Sequence, residues 1–122
     1  MIIRDIAQSV YFKALDDTLL CELLHPYRKA GDIKIGYSIA HAVLKPGQRS
    51  LPHQLKTSSE VYYILEGEGR LTVEQESAPV TAGQAIYIPP GSRQSLENTG
   101  RFDLKFLCLV YPPWQATDEE VE

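Results

Sequence analysis

Residues 46–67 read PGQRSLPHQLKTSSEVYYILEG, and this stretch decides how the chain folds. Pro46 and Gly47 open it with a turn pair, and Gly67 closes it beside Glu68 and Gly69. Between them Glu60, Tyr62 and Ile64 alternate with Val61, Tyr63 and Leu65, so an extended segment puts each set on its own face. Both faces are apolar apart from Glu60, which predicts a strand buried on both sides. One face then lines a barrel interior and the other meets a second sheet or a second subunit. His53 and Glu60 make chemical sense together only if the chain folds back on itself. Its counterpart is residues 83–98, GQAIYIPPGSRQSLEN, and together the two stretches suggest a small β-barrel with a metal site.

Working outward, hydrophobic residues from position 33 onward follow period two, broken at short intervals by turn residues, the pattern of an all-β sandwich or barrel. Strands are expected over 33–45, 59–66, 70–75, 85–88, 94–97 and 102–111. The breaks are Pro46-Gly47, Gly67-Glu68-Gly69, Ala82-Gly83, Pro89-Pro90-Gly91 and Asn98-Thr99-Gly100. Residues 70–75 are apolar on one side only and predict a strand with a wet face. Upstream, 1–12 is an edge strand or extended arm. Asp16-Asp17-Thr18 supplies N-cap candidates for a short helix over Leu19-Leu20-Cys21-Glu22-Leu23-Leu24, which Pro26 ends, with His25 as a helix-end residue. Residues 1–32 are thus an N-terminal arm and short helix, and 116–122 an acidic, solvated tail.

At 122 residues the chain is one domain, with the 43% apolar and 23% charged fractions of an ordinary globular protein. A net charge of −4, with its 12 Lys and Arg dispersed, provides no basic stripe, so nucleic acid is excluded as a partner. No apolar run is long enough for a membrane span, and the first residues lack the pattern of a signal peptide. A cytoplasmic protein is expected, with Cys21 and Cys108 reduced inside apolar runs.

The two quoted stretches resemble the motifs of the cupin superfamily. Its first motif runs glycine, histidine, a second histidine, glutamate, glycine. Gly47, His53, Glu60 and Gly67 fall at the first, second, fourth and fifth of those places, and Leu55 stands where the second histidine belongs. In the second motif Gly83, Pro89, Gly91 and Asn98 match, and Gln94 stands at the histidine. The C-terminal FLCLVYPPW also looks like that of small prokaryotic cupins. The resemblance implies an all-β, double-stranded β-helix (jelly-roll) barrel enclosing one divalent metal, Mn, Fe, Ni or Zn, held by His53, Glu60 and Gln94. Cys108 is a further candidate ligand if it is a thiolate, and otherwise a small core residue. The cupin register turns Ala40, Ala42 and Leu44 inward and His41 outward, to an interface or the surface.

On that basis Glu60 and Tyr62 are the candidate acid–base groups. Gln54, Arg49, Arg93 and Tyr87 are candidate substrate contacts near the barrel mouth, the arginines suiting an anionic group. The resemblance implies a metal-dependent isomerase acting on a sugar phosphate or similar small oxygenated substrate, or a dioxygenase. The alternative is a non-catalytic small-molecule-binding cupin that has lost its metal, a reading that Leu55 favours. A homodimer is expected from the doubly apolar strand and the free arm.

Overall fold

The computed structural model describes residues 1–28 and 33–122; positions 29–32 of the expected arm lie outside the described residues. Among the described residues eleven strands follow in chain order: β1 Phe12–Lys13, β2 Leu19–Leu24, β3 Ser38–Leu44, β4 His53–Leu55, β5 Ser59–Glu66, β6 Glu68–Val73, β7 Glu76–Thr81, β8 Ala85–Ile88, β9 Gln94–Asn98, β10 Leu104–Tyr111 and β11 Glu119–Val121. They form two antiparallel sheets, ordered β1-β2-β3-β10-β5-β8 and β11-β4-β9-β6-β7. Strands distant in sequence are neighbours in each sheet, as the expected jelly roll requires.

The inward faces meet in a core of Ala42, Leu44, Tyr62, Ile64, Leu71, Val80, Ile88, Leu96, Leu104, Phe106 and Cys108. In β5 the burial alternates: Glu60, Tyr62 and Ile64 point in, while Tyr63 and Leu65 are 40% and 39% exposed. The outer face of β5, expected to be buried, is therefore open in a single copy of the chain. Gly67 and Gly69 lie where neighbouring backbone approaches too closely for a side chain. Gly67 takes a φ of +90°, and a Cβ there would lie 2.7 Å from the Asp103 carbonyl oxygen; a Cβ on Gly69 would lie 2.5 Å from that of Glu97. Only glycine satisfies both constraints at once.

Three expectations are corrected. Leu19–Leu24 is a strand, paired with β1 and β3, and the helical turn nearest the N-terminus is a three-residue 3₁₀ turn at Ile6–Gln8. Six residues make too short a helix to sustain itself, whereas here Cys21 pairs with His41 across an available strand edge. The acidic tail is not free: Glu119–Val121 pairs with β4, and Asp118 accepts hydrogen bonds from the Thr57 and Ser58 amides at 3.0 and 3.1 Å. His41 does face away from the barrel interior, but it is buried. Tyr11 lies over it, with its hydroxyl 2.7 Å from Nδ1, so the N-terminal arm covers the outer face of β2 and β3. Strand β7, ESAPVT, was not expected; its side chains are exposed except Val80, so it carries little hydrophobic signal.

Candidate functional site

One cavity of about 370 Å³ opens between the sheets, and the residues at its polar end come from four separate parts of the chain. His53 starts β4, Glu60 and Tyr62 lie on β5, Asp16 sits in the loop between β1 and β2, and Glu119 starts β11. The loop is held over the cavity by backbone bonds, from Ala14 N to Thr18 O at 2.8 Å and from Leu51 N to Asp16 O at 2.7 Å. The lining also includes the apolar side chains Phe12, Leu20, Ile39, Phe106, Val110 and Trp114.

His53 is fixed by its own segment. Its Nδ1–H donates to the Leu51 carbonyl at 2.7 Å, and Nε2 faces the Asp16 carboxylate at 3.3 Å. Glu60 is held from the other sheet. The Gln94 side-chain amide donates to Glu60 Oε1 at 3.1 Å and accepts the Tyr62 hydroxyl at 2.7 Å, a buried chain of three polar side chains. Burial pushes the Glu60 carboxyl up to about 8; the charges of Asp16 and Glu119 add to this and the bond from Gln94 opposes it. Burial and the neighbouring Glu60 hold Tyr62 well above the usual phenol range. Glu119 is raised too, by burial and then by Asp16, against the bond that Trp114 Nε1 donates to its Oε1 at 2.8 Å. Its other oxygen, Oε2, is buried with no hydrogen-bond partner among the described residues.

Of the residues singled out in the sequence, His53, Glu60 and Tyr62 line this cavity, and Gln94 stands directly behind Glu60. Cys108 lines it as well, beside Tyr62 across the β5–β10 pairing, and burial followed by the charge of Glu60 holds its thiol well up, as a neutral group. The others are elsewhere. Tyr87 is 63% exposed on β8. Arg49 bridges to Glu97 through the backbone, Gln54 donates to Glu120, and Arg93 pairs with Glu122. Asp16, Glu119 and Trp114 line the cavity without having been expected to. The Asp-Asp-Thr run carries the signature of a helix cap, and the terminal acidic run that of a solvated tail. The adjacent PPW, with an aromatic among prolines, was the available sign that the terminus packs.

Do these side chains suit a divalent metal? Leu55 is buried core with no lone pair. Gln94 has its carbonyl oxygen occupied by Tyr62 and its amide hydrogens turned to Glu60. A carboxyl with so raised a proton affinity is a poor ligand until it ionises. Among the described residues no group of three or more His, Cys, Asp and Glu is arranged to hold a metal ion. As they stand, the residues do not fit one.

Three comparisons place the chain among known proteins. A crystal structure of a predicted oxalate decarboxylase from Thermotoga maritima superimposes with a TM-score of 0.79 at 25% identity, covering 92% of this chain and 99% of that one. The oxalate-binding protein of Thermotoga maritima is 37% identical over 71 residues, 58% of this chain and 59% of the relative, so the match spans under two thirds of its length. An uncharacterized protein of Methanocaldococcus jannaschii is 42% identical over 106 residues, 87% of this chain and 82% of the relative. The family model described as Cupin domain matches residues 40–110, more than half of the chain. The chain belongs to the cupin family.

Proposed function

We propose that the cavity binds a small organic molecule and moves a proton on it, with His53 as base and the neutral Glu60 carboxyl as acid, and that it does so without a resident metal. The observation that carries this reading is the placement of His53 and Glu60, from opposite sheets, on one cavity of about 370 Å³ whose lining also holds several apolar side chains. Ligand pockets combine these features, a mostly apolar hollow with a few convergent polar groups of shifted proton affinity.

The chemistry follows from the partners. Leu51 holds the His53 ring by Nδ1–H, so Nε2, which faces the Asp16 carboxylate at 3.3 Å, is the atom that takes a proton. Glu60, kept protonated by its surroundings and oriented by Gln94, donates to a carbonyl or hydroxyl oxygen of the ligand. Removal of a proton from carbon next to a carbonyl, with proton delivery to the oxygen, is an enolisation, the first half of an isomerisation. Tyr62 acts as a positioning residue through Gln94. The same proposal takes the protein as a cytoplasmic homodimer, with a second copy over the open face of β5.

A second reading keeps one divalent ion, Mn, Fe, Ni or Zn, in a metal-dependent isomerase or dioxygenase. One feature favours it: His53 donates its Nδ1–H to a backbone carbonyl, as metal-binding histidines do, and its Nε2 faces a carboxylate, Asp16, at 3.3 Å. It requires Gln94 to release Tyr62 and Glu60 to lose its proton.

A thermal-shift screen against sugars, sugar phosphates and small acids, run before and after chelator treatment, separates the readings. Stabilisation that survives chelation and disappears in His53→Ala supports the metal-free pocket. Stabilisation that requires added Mn or Zn supports the second reading and overturns the first.

A further inference from the structure

Phe12, Lys13 and Leu15, on and beside β1, line the cavity and are also exposed to solvent, with Arg28 and Ala116 as further exposed lining residues. The hollow therefore opens beside the β1–β2 hairpin. The tip of that hairpin, residues 14–18, holds its own shape. Ala14 N donates to Thr18 O at 2.8 Å, Asp17 N donates to Ala14 O at 3.0 Å, and Thr18 N donates to the Asp16 side chain, Oδ1, at 3.1 Å. These bonds close within the tip, so it can move as a unit without losing them.

The two ends of the hairpin are held differently. Its base is anchored in the first sheet, where Phe12 and Lys13 pair with Leu20 and Leu19, β2 pairs along β3, and the Tyr11 hydroxyl lies 2.7 Å from His41 Nδ1. Its tip reaches across to the second sheet through Asp16. Leu51 N donates to Asp16 O at 2.7 Å, and Asp16 Oδ2 lies 3.3 Å from His53 Nε2. Segments joined to the body by few contacts open at low free energy, and lids over binding sites are drawn from them. Here one residue makes both polar contacts across the mouth.

We propose that residues 14–18 are a gate on the cavity, with Asp16 as its latch, and that the latched carboxylate occupies the His53 nitrogen a ligand must reach. This rests on the reading of His53 as the proton acceptor of the cavity, and it adds how access to that atom is controlled. With the latch closed, Asp16 Oδ2 stands in front of Nε2, where the proton of a ligand has to arrive. Opening breaks that contact and the Leu51 bond and leaves the strand pairings intact. Phe12 and Leu15, half exposed at the mouth, are then free to close onto an apolar ligand and gain burial from it.

Amide exchange in the wild-type chain tests the opening. Ser50 N bonds to Leu96 O within the second sheet, whereas the next amide, Leu51 N, bonds to the gate. Relative to their intrinsic rates, Leu51 is expected to exchange at least about tenfold faster than Ser50. The latch is tested with diethyl pyrocarbonate, which acylates an accessible imidazole nitrogen, mapped by mass spectrometry. Asp16→Ser keeps a hydroxyl for the Thr18 amide but falls short of the imidazole, and His53 should react at least about tenfold faster than in the wild type. Asp16→Asn has an oxygen for Thr18 and an amide to donate to Nε2, and should restore the slow rate. His25 and His41, both buried, should keep their wild-type rates in each variant.

If Leu51 is as protected as Ser50, or if Asp16→Ser leaves His53 at the wild-type rate while Leu51 opens, the gate is overturned and the cavity reading stands. If His53 resists the reagent in every variant while Cys108 on the same cavity is alkylated by methyl methanethiosulfonate, His53 is not the accepting group, and both readings fall. Should Asp16→Ser raise His25 and His41 as well, the fold has loosened, and the wild-type comparison of Leu51 with Ser50 decides.

Discussion

Gln94 donates its side-chain amide to Glu60 at 3.1 Å, and this contact ties the two motif stretches together inside the barrel. In the family pattern the two positions share a metal; here they share a hydrogen bond. The same amide accepts from Tyr62, so its donors and its acceptor are turned in opposite directions, each to a fixed partner.

The burial of Glu60 has a consequence for pH. The Glu60 carboxyl is raised from 4.5 to about 8, so between those values the folded protein holds a proton that the unfolded chain has released. Stability therefore falls as pH rises from 4.5 towards 8 and levels off above it, a decline on the order of a few kcal/mol. Glu60→Gln keeps the shape and cannot ionise, and its stability should lack this slope. Urea unfolding of both proteins across that range measures it; parallel curves would contradict the assignment.

Glycines 67 and 69 give a prediction about the sheets. Gly67→Ala must both hold a φ of +90° and push aside the Asp103 backbone, and Gly69→Ala collides with the Glu97 carbonyl. Each should destabilise by about 2–4 kcal/mol. Gly83 has the same φ of +90° with nothing within 4 Å, so Gly83→Ala should lose only about 1 kcal/mol. Thermal unfolding of the three variants checks the ranking.

The terminal strand depends on Asp118. Burial pushes its carboxyl up, but the bonds from the Thr57 hydroxyl and the Thr57 and Ser58 amides outweigh this and hold it below its usual value of 3.8. Its stabilising contribution is present above that pH and is lost as the pH falls through the lower folded value. Asp118→Ala should cost about 1–2 kcal/mol. Amide exchange across β4 and β11 should rise most, because Lys56 N also bonds to Asp118 O at 2.8 Å.

Tyr63 and Leu65 leave an apolar strip on the outer face of β5, and Tyr87 on β8 extends it. Light scattering at micromolar concentration is expected to report a dimer, and Leu65→Lys a monomer. A monomeric wild-type protein would remove the second copy from the account.

The barrel was readable from Gly47 to Asn98 because Gly47, Gly67, Gly83, Pro90 and Gly91 mark turns between strands, and alternation in 59–66 sets which side chains share a face. That parity puts Glu60 and Tyr62 on one face, and the resemblance to the cupin motifs is what turned that face inward. The short LLCELL run was not resolved, since six apolar-rich residues suit a helix or a strand and only the exposed edge of β3 decides between them. His41 was correctly turned outward, but its burial depends on Tyr11, thirty positions away, a contact no local pattern records. The same limit hid Asp16 and Glu119: each is placed by pairing with distant backbone, Asp16 through Leu51 and Glu119 through Leu55. Side chains that enter a site from the chain termini carry no spacing rule, so the motif residues were legible and the groups completing the cavity were not.

Whether His53 and Glu60 work without a resident metal is read from elemental analysis of protein purified without chelator or metal-affinity resin. Less than about a tenth of an equivalent of Mn, Fe, Co, Ni and Zn together is expected. A value near one equivalent of any of them, lost in His53→Ala, would contradict it.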